Sequence, residues 1–243
     1  MTTVLKLGGS VVTDKDEPET VDERNLSRAA EAIAAVDEDI VVIHGGGSFG
    51  HHHAAEHGVS TTDGTHDSGA IRAIHGAMKD LNEAVVGALA EAGVSAVPVH
   101  PFSAAHRDSK SDLSVSTDRL ATMLGEGFVP VLHGDVVVHE NLGATILSGD
   151  EIVVALADAL DADRVGVCSA VPGVYDAEKT VIDRIDSFDD VADVLGGSDA
   201  TDVTGGMAAK VRELLGLDAP AYIFDIDGLD EFIAGENPGT RID

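Results

Sequence analysis

Apolar and polar positions follow two alternating patterns along the chain. Short apolar runs typical of buried strands occur at residues 3–7, 40–44, 94–99, 128–134, 136–139, 164–169, 181–185 and 221–226. Between them, apolar residues recur every three or four positions, as on one face of a helix, at residues 21–36, 65–92, 117–124, 148–160, 188–195, 202–216 and 229–234. This alternation predicts an α/β fold: a three-layer αβα sandwich with a mainly parallel central sheet.

The division of the chain into parts is weakly marked. The polar segment at residues 102–114 predicts a loop or a hairpin. No internal repeat, low-complexity segment or Pro/Ser-rich linker interrupts the chain, so we expect two lobes that share one continuous sheet. A soft boundary at residues 147–149 separates an N-terminal lobe, residues 1–149, from a C-terminal lobe, residues 150–243.

The charge balance of the chain is strongly acidic. The 243 residues include 15 Lys and Arg against 44 Asp and Glu, a formal net charge of −29. A surface with this charge repels nucleic acid. The acidic residues are scattered from Asp14 to Asp243 rather than gathered in one tail. This dispersion favours a halophilic protein, because a salty cytoplasm screens repulsion between surface charges.

Two further features concern the cellular compartment. No apolar run approaches the roughly 18 residues of a membrane span, and MTTVLKLGGS at the N-terminus lacks the pattern of a signal peptide. Cys168 is the only cysteine, which excludes an internal disulfide and a site of several thiolates around a metal. These features predict a cytoplasmic protein with neither a membrane nor a nucleic-acid partner.

Three glycine-rich segments lie beside cationic residues: KLGGS at residues 6–10, HGGGSFGH at 44–51 and DVTGGMAAK at 202–210. Glycine lets backbone N–H groups approach phosphate oxygens closely, and a helix that begins at such a loop adds partial positive charge. The chain has only six lysines, and Lys6, Lys15 and Lys210 lie in or near these segments. Together they predict a site for phosphate groups.

Other nucleotide-binding motifs fit the sequence less well. GGGSFG at residues 45–50 satisfies the spacing GxGxxG, which also occurs in dinucleotide-binding folds. That fold requires a second strand about 20 residues on, with an acidic residue at its end. The stretch that follows here is polar, rich in histidine and not strand-like, and the sequence has no Walker loop.

Several polar residues have two interpretations. Adjacent histidines on a helix cannot all face one ion, so for His52 and His53 solvated surface is favoured over metal binding. His51 ends the glycine loop, where its role is either to donate to a phosphate or to cap the next helix. Asp135 and Asp150 each follow a glycine after an apolar run, and they either orient lysines or magnesium or cap helices.

Two apolar features are equally open. The stripe that includes Ile71, Ile74 and Met78 forms either plain core or, in its first turns, the wall of an apolar pocket. Tyr175 either packs on a nucleotide base or is an ordinary strand residue. Neither feature indicates a particular function by itself.

The chain resembles the amino-acid kinase superfamily over essentially its whole length. KLGGS and TGGM are shared across that superfamily. KLGGSVVTDK, HGGGSFGH, VPVLHGDVV, ILSGDEIV and PGTRID are similar to its isopentenyl phosphate kinases, and His51 is the most specific mark. The resemblance implies the amino-acid kinase fold and a homodimer. It also implies transfer of a phosphoryl group from ATP, with Mg²⁺, to isopentenyl phosphate in the mevalonate route of isoprenoid biosynthesis.

By position, the resemblance also implies roles for individual residues. Lys6, Lys15 and His51 are the catalytic candidates, and His51 binds the acceptor phosphate together with Gly46 and Gly149. The nucleotide-binding candidates are Lys6, Leu7, Gly8, Gly9, Ser10, Gly47, Gly173, Tyr175, Gly206 and Lys210. No residue is assigned as a metal ligand. The N-terminal lobe becomes the acceptor-substrate lobe and the C-terminal lobe the nucleotide lobe.

The chain departs from this family pattern in CSAVPGVYD, where relatives typically carry aspartates in the places of Ala170 and Pro172. Two alternatives stay open from the sequence. One is another small-molecule kinase of the superfamily, which acts on a phosphonate antibiotic or on uridylate. The other is a nucleotide-sensing domain without turnover, against which the intact Lys6, Lys15 and Lys210 argue.

Overall fold

The computed structural model describes residues 1–195 and 206–243. Within them the strands are β1 (Thr2–Leu7), β2 (Asp39–His44), β3 (Ala96–Pro98), β4 (Ala105–Arg107), β5 (Leu113–Val115), β6 (Val129–His133), β7 (Asp135–His139), β8 (Gly143–Leu147), β9 (Arg164–Ser169), β10 (Arg184–Ile185), β11 (Ala221–Asp225) and β12 (Thr240–Ile242). The α-helices are α1 (Gly9–Val12), α2 (Glu23–Ile33), α3 (Gly47–His57), α4 (Ser68–Glu91), α5 (Asp118–Gly125), α6 (Gly149–Ala159), α7 (Ala192–Leu195), α8 (Gly206–Leu214) and α9 (Leu229–Ile233).

The described strands form two sheets. The main sheet has the order β10-β12-β11-β9-β1-β2-β6-β3, and its neighbouring strands are parallel except for β11 and β12. It continues from one predicted lobe to the other through the pair of β1 with β9. A smaller sheet, in the order β5-β4-β7-β8, was not predicted. It contains the antiparallel pair β4–β5, which confirms the hairpin in the polar segment at residues 102–114.

Helices cover both faces of the main sheet. One face carries a core to which α5, α6 and α8 contribute. The opposite face carries a second core, built mainly on α2, α4 and α9. This arrangement confirms the predicted three-layer αβα sandwich. Within the described part of the chain, no helix is both long and apolar enough to cross a membrane.

Strand β1 shows how the sequence sets these layers. Successive side chains of a strand point to opposite faces, and in β1 Val4 packs in the core beside α6 whereas Leu5 and Leu7 pack in the core beside α4. Lys6 therefore shares its face with Val4 and points towards α6, although β1 lies between two neighbouring strands. A lysine at this position is buried among apolar groups, which requires a partner of opposite charge.

Several short elements differ from the prediction. The structure has a helix over Gly47–His57 and strands over Gly143–Leu147 and Thr240–Ile242 that the apolar pattern did not indicate. The helix buries only Phe49, Gly50 and Ala54, so its sequence has no apolar stripe of helical spacing. The two strands are each five residues or fewer, too short to produce a clear pattern.

Candidate active site

A cleft of about 550 Å³ opens at the carboxyl ends of the central strands. Strands β9, β1, β2 and β6 are parallel neighbours, so the residues that follow them meet at one edge of the sheet. Gly8, Gly45 and Gly134 follow three of these strands, and all three line the cleft. Crevices at the carboxyl edge of such a sheet are the usual ligand sites of open α/β folds.

Three helices begin at this cleft. Gly47, Gly149 and Gly206 are the first residues of α3, α6 and α8, and each lines the cleft. The N-terminus of a helix presents backbone N–H groups and a partial positive charge. Three such ends around one cavity favour a ligand with several negative charges, such as a polyphosphate.

The first two glycine-rich loops touch each other through their backbones. A Cβ atom added to Gly45 would lie 2.6 Å from the backbone nitrogen of Gly9, and a Cβ on Gly9 would clash with the backbone of Gly47. Gly47 also has a φ of +48°, which disfavours residues with a side chain. The Thr13 hydroxyl joins the loops, because it donates to the Gly9 carbonyl at 2.7 Å and accepts from the Ser48 N–H at 3.1 Å.

The lysine cluster, defined here as Lys6, Asp150 and Lys210, lies on the α6 side of the cleft. Lys6 Nζ is 2.8 Å from Asp150 Oδ1, and Lys210 Nζ is 2.9 Å from the same oxygen. The three side chains come from β1, α6 and α8, and none is more than 17% exposed. Two ammonium groups thus share one carboxylate, which leaves this buried cluster with a net positive charge.

Burial and the neighbouring opposite charges shift the pKa values of this cluster in opposite directions. Burial, which Asp150 offsets only in part, lowers the pKa of Lys6 from 10.5 to about 8. Burial alone would raise the pKa of Asp150, but Lys6 and Lys210 outweigh it and lower that pKa to about 2. At neutral pH the carboxylate is ionised and Lys6 is mainly protonated, so the cluster is ready to bind an anion.

Asp150 is held at the start of α6 by a separate set of contacts around its neighbours. The Ser148 hydroxyl accepts from the Glu151 N–H at 3.1 Å, and the Ser148 N–H donates to the Glu151 carboxylate at 2.9 Å. This capping box orders the first helical turn. Arg107 also donates to Glu151, at 2.5 Å. Of the two sequence interpretations of Asp150, the contacts support orientation of lysines.

Lys15 and His51 line the cleft on exposed positions. Lys15 belongs to a loop between α1 and α2 whose ends are joined by the bridge of Thr13 with Val21. His51 is the fifth residue of α3, one turn after the loop glycines. Both side chains are therefore on the exposed side of the cleft and not in the buried lysine cluster.

An apolar wall lines another part of the cleft. It is formed by Ala54 of α3, Ile74 and Met78 of α4, and Ile146 of β8. Gly50 allows α3 to approach α4, since a Cβ at this position would lie 2.7 Å from the Met78 sulfur. Ile74 and Met78 fit both interpretations of the Ile71–Met78 stripe, because they are buried core residues that also form part of the cleft wall.

The histidine cluster, defined as His44, His75, His100 and His133, lies on the face of the sheet opposite to the lysine cluster. His44 and His133 end β2 and β6, and the Nδ1–H of each donates to the carbonyl of the next residue, Gly45 or Gly134, at 3.1 and 2.9 Å. Since these glycines line the cleft, the buried histidines hold two of its loops.

The inner rings of the histidine cluster are uncharged. Burial lowers the pKa of His44 from 6.5 to about 4 and lowers that of His133 well below its usual value, and it also lowers the pKa of His100. Neutral His133 donates from Nδ1, so its Nε2 accepts from the His100 Nδ1–H at 2.9 Å. His44 Nε2 lies 3.1 Å from Asn82 Oδ1, and since the neutral ring donates from Nδ1, a hydrogen bond here requires the Asn82 amide in its flipped orientation, with NH₂ towards Nε2.

Asp135 connects the histidine cluster to the cleft wall. Its buried carboxylate lies 2.9 Å from His75 Nδ1 and accepts from the N–H groups of Phe102, at 3.3 Å, and Val136, at 2.8 Å. Burial raises the pKa of Asp135, although these hydrogen bonds oppose the effect. One of these N–H groups, that of Phe102, belongs to the short 3-10 helix Pro101–Ser103.

Most of the predicted site residues meet in this one cleft. Those that line it are Lys6, Gly8, Gly9, Ser10, Lys15, Gly46, Gly47, His51, Gly149, Gly206 and Lys210. Ala170, at the departure from the family pattern, also lines it. Residues 202–205 of the third glycine-rich segment lie outside the described residues.

Leu7, Gly173 and Tyr175 do not line the cleft within the described part of the chain. Leu7 is fully buried, and its carbonyl accepts from the Gly45 N–H at 3.0 Å. Gly173 packs against Val181 and Thr240, so a side chain there would clash. Tyr175 is 38% exposed in a bridge with Val181. Their assignment to the nucleotide stays a prediction.

The model of the amino acid kinase family matches residues 1–217. Together with the fold and the phosphate-binding geometry of the cleft, this match shows that the chain belongs to the amino acid kinase family. Its similarity to particular members extends over the full length. It is 64% identical to an isopentenyl phosphate kinase of Haloferax volcanii, over 98% of this chain and 97% of the relative.

Further similar proteins, among them solved structures, are also isopentenyl phosphate kinases. An isopentenyl phosphate kinase of Methanothermobacter thermautotrophicus is 37% identical over 98% of each chain. A solved isopentenyl phosphate kinase superposes with a TM-score of 0.82 at 29% identity, over 100% of both chains. The substrate complex of an isopentenyl phosphate kinase gives a TM-score of 0.76 at 25% identity, over 99% of this chain and 100% of that one.

Proposed function

We propose that this protein is an isopentenyl phosphate kinase. It transfers the terminal phosphoryl group of ATP to the phosphate of isopentenyl phosphate, and the products are ADP and isopentenyl diphosphate. The observation that carries this proposal is a single cleft with two kinds of wall. One wall has the lysine cluster and three helix N-termini for phosphate groups, and the other has Ile74, Met78 and Ile146 for a short hydrocarbon tail.

The residues fit the demands of phosphoryl transfer. An oxygen of the acceptor phosphate attacks the γ-phosphorus of ATP, and the bond from that phosphorus to the ADP oxygen breaks. The acceptor is already ionised, so the step requires no strong general base. It does require neutralisation of the charge on the transferred group, together with alignment of the two ligands. Lys6, Lys15 and Lys210 supply the positive charge, and Asp150 holds two of these lysines together.

Mg²⁺ does not have an evident protein site of its own here. Among the described residues that line the cleft, the acidic side chains are Asp135 and Asp150. Asp150 is engaged by two lysines, and Asp135 by His75 and two backbone N–H groups. A magnesium site of the chain needs oxygen ligands that are available to the ion. We therefore propose that Mg²⁺ enters as the complex with ATP, whose phosphates hold it.

The two lobes divide the ligands between them. We assign the acceptor to residues 1–149, which provide His51, Gly46 and the apolar wall, and the nucleotide mainly to residues 150–243, which provide Gly206 and Lys210. The main sheet is continuous between the lobes. Lys6 and Gly8 of the first lobe lie beside the nucleotide in this assignment, so the lobes are parts of one site.

The remaining expectations belong to the same proposal. The homodimer, the cytoplasmic location and adaptation to salt stay predictions, and the net charge of −29 supports the last of these. Salt should raise the free energy of unfolding, because it screens repulsion between carboxylates. Urea unfolding at about 0.1 M and about 2 M KCl tests this, and lower stability in the higher salt would contradict it. Light scattering measures the oligomeric state.

Activity on a panel of acceptors tests the central claim. Isopentenyl phosphate, dimethylallyl phosphate, uridylate and N-acetylglutamate are each offered with Mg-ATP in molar KCl, and ADP release is measured. We expect turnover on isopentenyl phosphate. Turnover on the nucleotide or the carboxylate alone would assign the protein to another kinase of the family. Absence of turnover, with ATP still bound, would favour a sensing domain.

The acceptor side is tested through His51. His51→Ala should raise the KM for isopentenyl phosphate and lower kcat, while the affinity for ATP stays unchanged. His52→Ala is the matched control, because His52 is exposed on the same helix but does not line the cleft. A loss of ATP affinity in His51→Ala, without an effect on the acceptor, would place His51 on the nucleotide side.

A further inference from the structure

A second polar cluster lies on α3 outside the cleft. His53, Glu56 and His57 each place one ligand atom within 4.8 Å of the others. Glu56 and His57 follow His53 by three and four residues, so each lies one helical turn from it, although the two are adjacent to each other. None of the three lines the cleft. His52 also touches His53, with the ring centroids 5.3 Å apart in an edge-on contact, but it does not belong to this group of ligand atoms.

The hydrogen bonds of His53 make one of its nitrogens available as a ligand. Its Nε2 lies 2.7 Å from Glu19 Oε1, and because a carboxylate only accepts, Nε2 carries the proton. In the neutral ring, Nδ1 therefore keeps its lone pair. Among the described residues this buried Nδ1 has no hydrogen-bond partner. It faces Glu56 Oε2 at 3.8 Å.

This arrangement is that of an oriented metal ligand. When the His53 ring is neutral, its Nδ1 and the Glu56 carboxylate are two acceptors 3.8 Å apart, and a cation between them satisfies both. His57 adds a third donor on the same side. Metal-bound histidines usually donate their other N–H to a carboxylate, as His53 does to Glu19, which fixes the ring and strengthens the ligand.

We propose that His53, Glu56 and His57 bind a divalent transition-metal ion, with Zn²⁺ the best fit, and that Glu19 orients His53 through its hydrogen bond. Two imidazoles and a carboxylate are a donor set that suits zinc, with water in the fourth position. These ligands and Glu19 do not line the cleft, so they have no direct contact with the reacting groups in the proposed reaction.

The site has a structural consequence for the cleft entrance. Glu19 and Lys15 belong to the same loop, whose ends meet at the bridge of Thr13 with Val21. His53 lies on the helix that also carries His51. Zinc on His53 strengthens the contact with Glu19 and so ties the Lys15 loop to α3. We expect zinc to stabilise the folded protein and to protect this loop from proteolysis.

Zinc titration of the full-length, untagged protein tests the site directly. After treatment with EDTA and its removal, isothermal titration with ZnCl₂ should show one ion per chain. His57→Ala and His53→Gln should each weaken binding roughly tenfold or more, since each removes a ligand. His52→Ala is the matched control and should bind as the wild type does. Co²⁺ in place of Zn²⁺ should give the visible absorption of a four-coordinate site.

The positioning role of Glu19 has its own readout. Glu19→Ala should weaken zinc binding about tenfold, as expected for loss of a hydrogen bond to a metal-bound histidine. Glu17→Ala, an exposed position of the same loop, should not. His57 is exposed, so His57→Ala should unfold at the wild-type temperature in EDTA but lose the rise in Tm with zinc. Equal zinc affinity in the wild type, His57→Ala and His53→Gln would overturn the proposal.

Discussion

The main sheet carries two buried polar clusters at the same edge, on opposite faces. On the α6 face, Lys6 and Lys210 share Asp150, and the cluster remains charged. On the α4 face, His44 and His133 are as deeply buried, the Asp135 carboxylate is 3.9 Å from His133 Nδ1, and burial keeps both rings neutral. Burial thus disfavours the charged form in both clusters, but Lys6 and Lys210 keep their charge beside Asp150, whereas His44 and His133 stay neutral.

The difference lies in what each cluster contacts. A carboxylate between two lysines preserves a net positive charge that attracts phosphate groups. Neutral imidazoles cannot attract an anion, but they donate and accept directed hydrogen bonds, and here they hold the carbonyls of Gly45 and Gly134. The lysine cluster is therefore suited to bind ligand, and the histidine cluster to hold the loops that surround it. Four predictions test this division.

The largest effect is expected from removal of the shared carboxylate. Asp150→Asn leaves two buried ammonium groups without an anion, and loss of one partner of a buried ion pair costs about 3–5 kcal/mol. Urea unfolding should show this loss, and Mg-ATP should restore part of it by supplying negative charge. Asp158→Asn, at an exposed position of the same helix, is the control. Equal stability of the two variants would argue against the charged cluster.

Loss of one lysine should affect the reaction more than the fold. In the proposed reaction, the Lys210 ammonium offsets negative charge on the transferred phosphoryl group. Lys210→Ala removes that ammonium, so kcat should fall by roughly 10²–10³. Lys79→Ala is the control, because Lys79 is exposed on α4 and does not line the cleft, and it should leave kcat unchanged. Steady-state kinetics with isopentenyl phosphate measures both. A Lys210→Ala enzyme with normal kcat would remove this residue from the transfer step.

The histidine cluster predicts loss of stability in acid. The pKa of His44 is about 4 in the folded protein and 6.5 when unfolded, so below pH 6.5 the unfolded chain takes up a proton that the folded protein does not. Stability is therefore complete above pH 6.5 and falls towards pH 4. One pKa unit is about 1.4 kcal/mol, so His44 contributes about 3 kcal/mol, and His133 acts in the same direction.

Urea unfolding between pH 7 and pH 4 checks this slope. His44→Gln cannot take up the proton, so its stability should depend less on pH in this window than that of the wild type. His52→Gln, at an exposed position, serves as the control and should keep the wild-type slope. If both variants kept that slope, His44 would not be the group responsible.

The smallest effect concerns alkaline pH and the lysine cluster. The pKa of Lys6 is about 8, below its usual 10.5, so a rise in pH through 8 removes one positive charge from the free enzyme. The Kd for ATP should therefore increase above pH 8, by at most about tenfold per unit. Lys6→Arg retains its charge and should flatten this rise. Calorimetric titration with ATP from pH 7 to 9 compares the two.

The contrast also shows what the sequence can predict. Lys6 was a candidate because it lies beside the glycines that follow TVLKL in a chain with few lysines, and the glycine-rich segments indicated the phosphate site. These signals are local: a residue, its immediate neighbours and one strand. The αβα fold was predicted for the same reason, since repeated apolar runs and amphipathic stretches are local patterns.

The histidine cluster could not be predicted in this way. It joins residues from β2, β6, α4 and the turn after β3, and their contacts depend on how distant elements pack. The only local signal is that His44 and His133 each precede a glycine at the end of an apolar run. Helix α3 was missed because its eleven residues bury little apolar surface, and the zinc-binding face was missed with it.

The contact between Gly9 and Gly47 has a consequence for how this enzyme can change. At this contact the backbones of the two loops touch directly, and in the proposed assignment the loops lie between the donor and the acceptor. A methyl group added to either glycine would clash with the backbone of the other loop and push the two loops apart. We therefore expect variation in substrate preference to arise at the hydrocarbon end of the cavity, beside Ile74, Met78 and Ile146, rather than between these two loops.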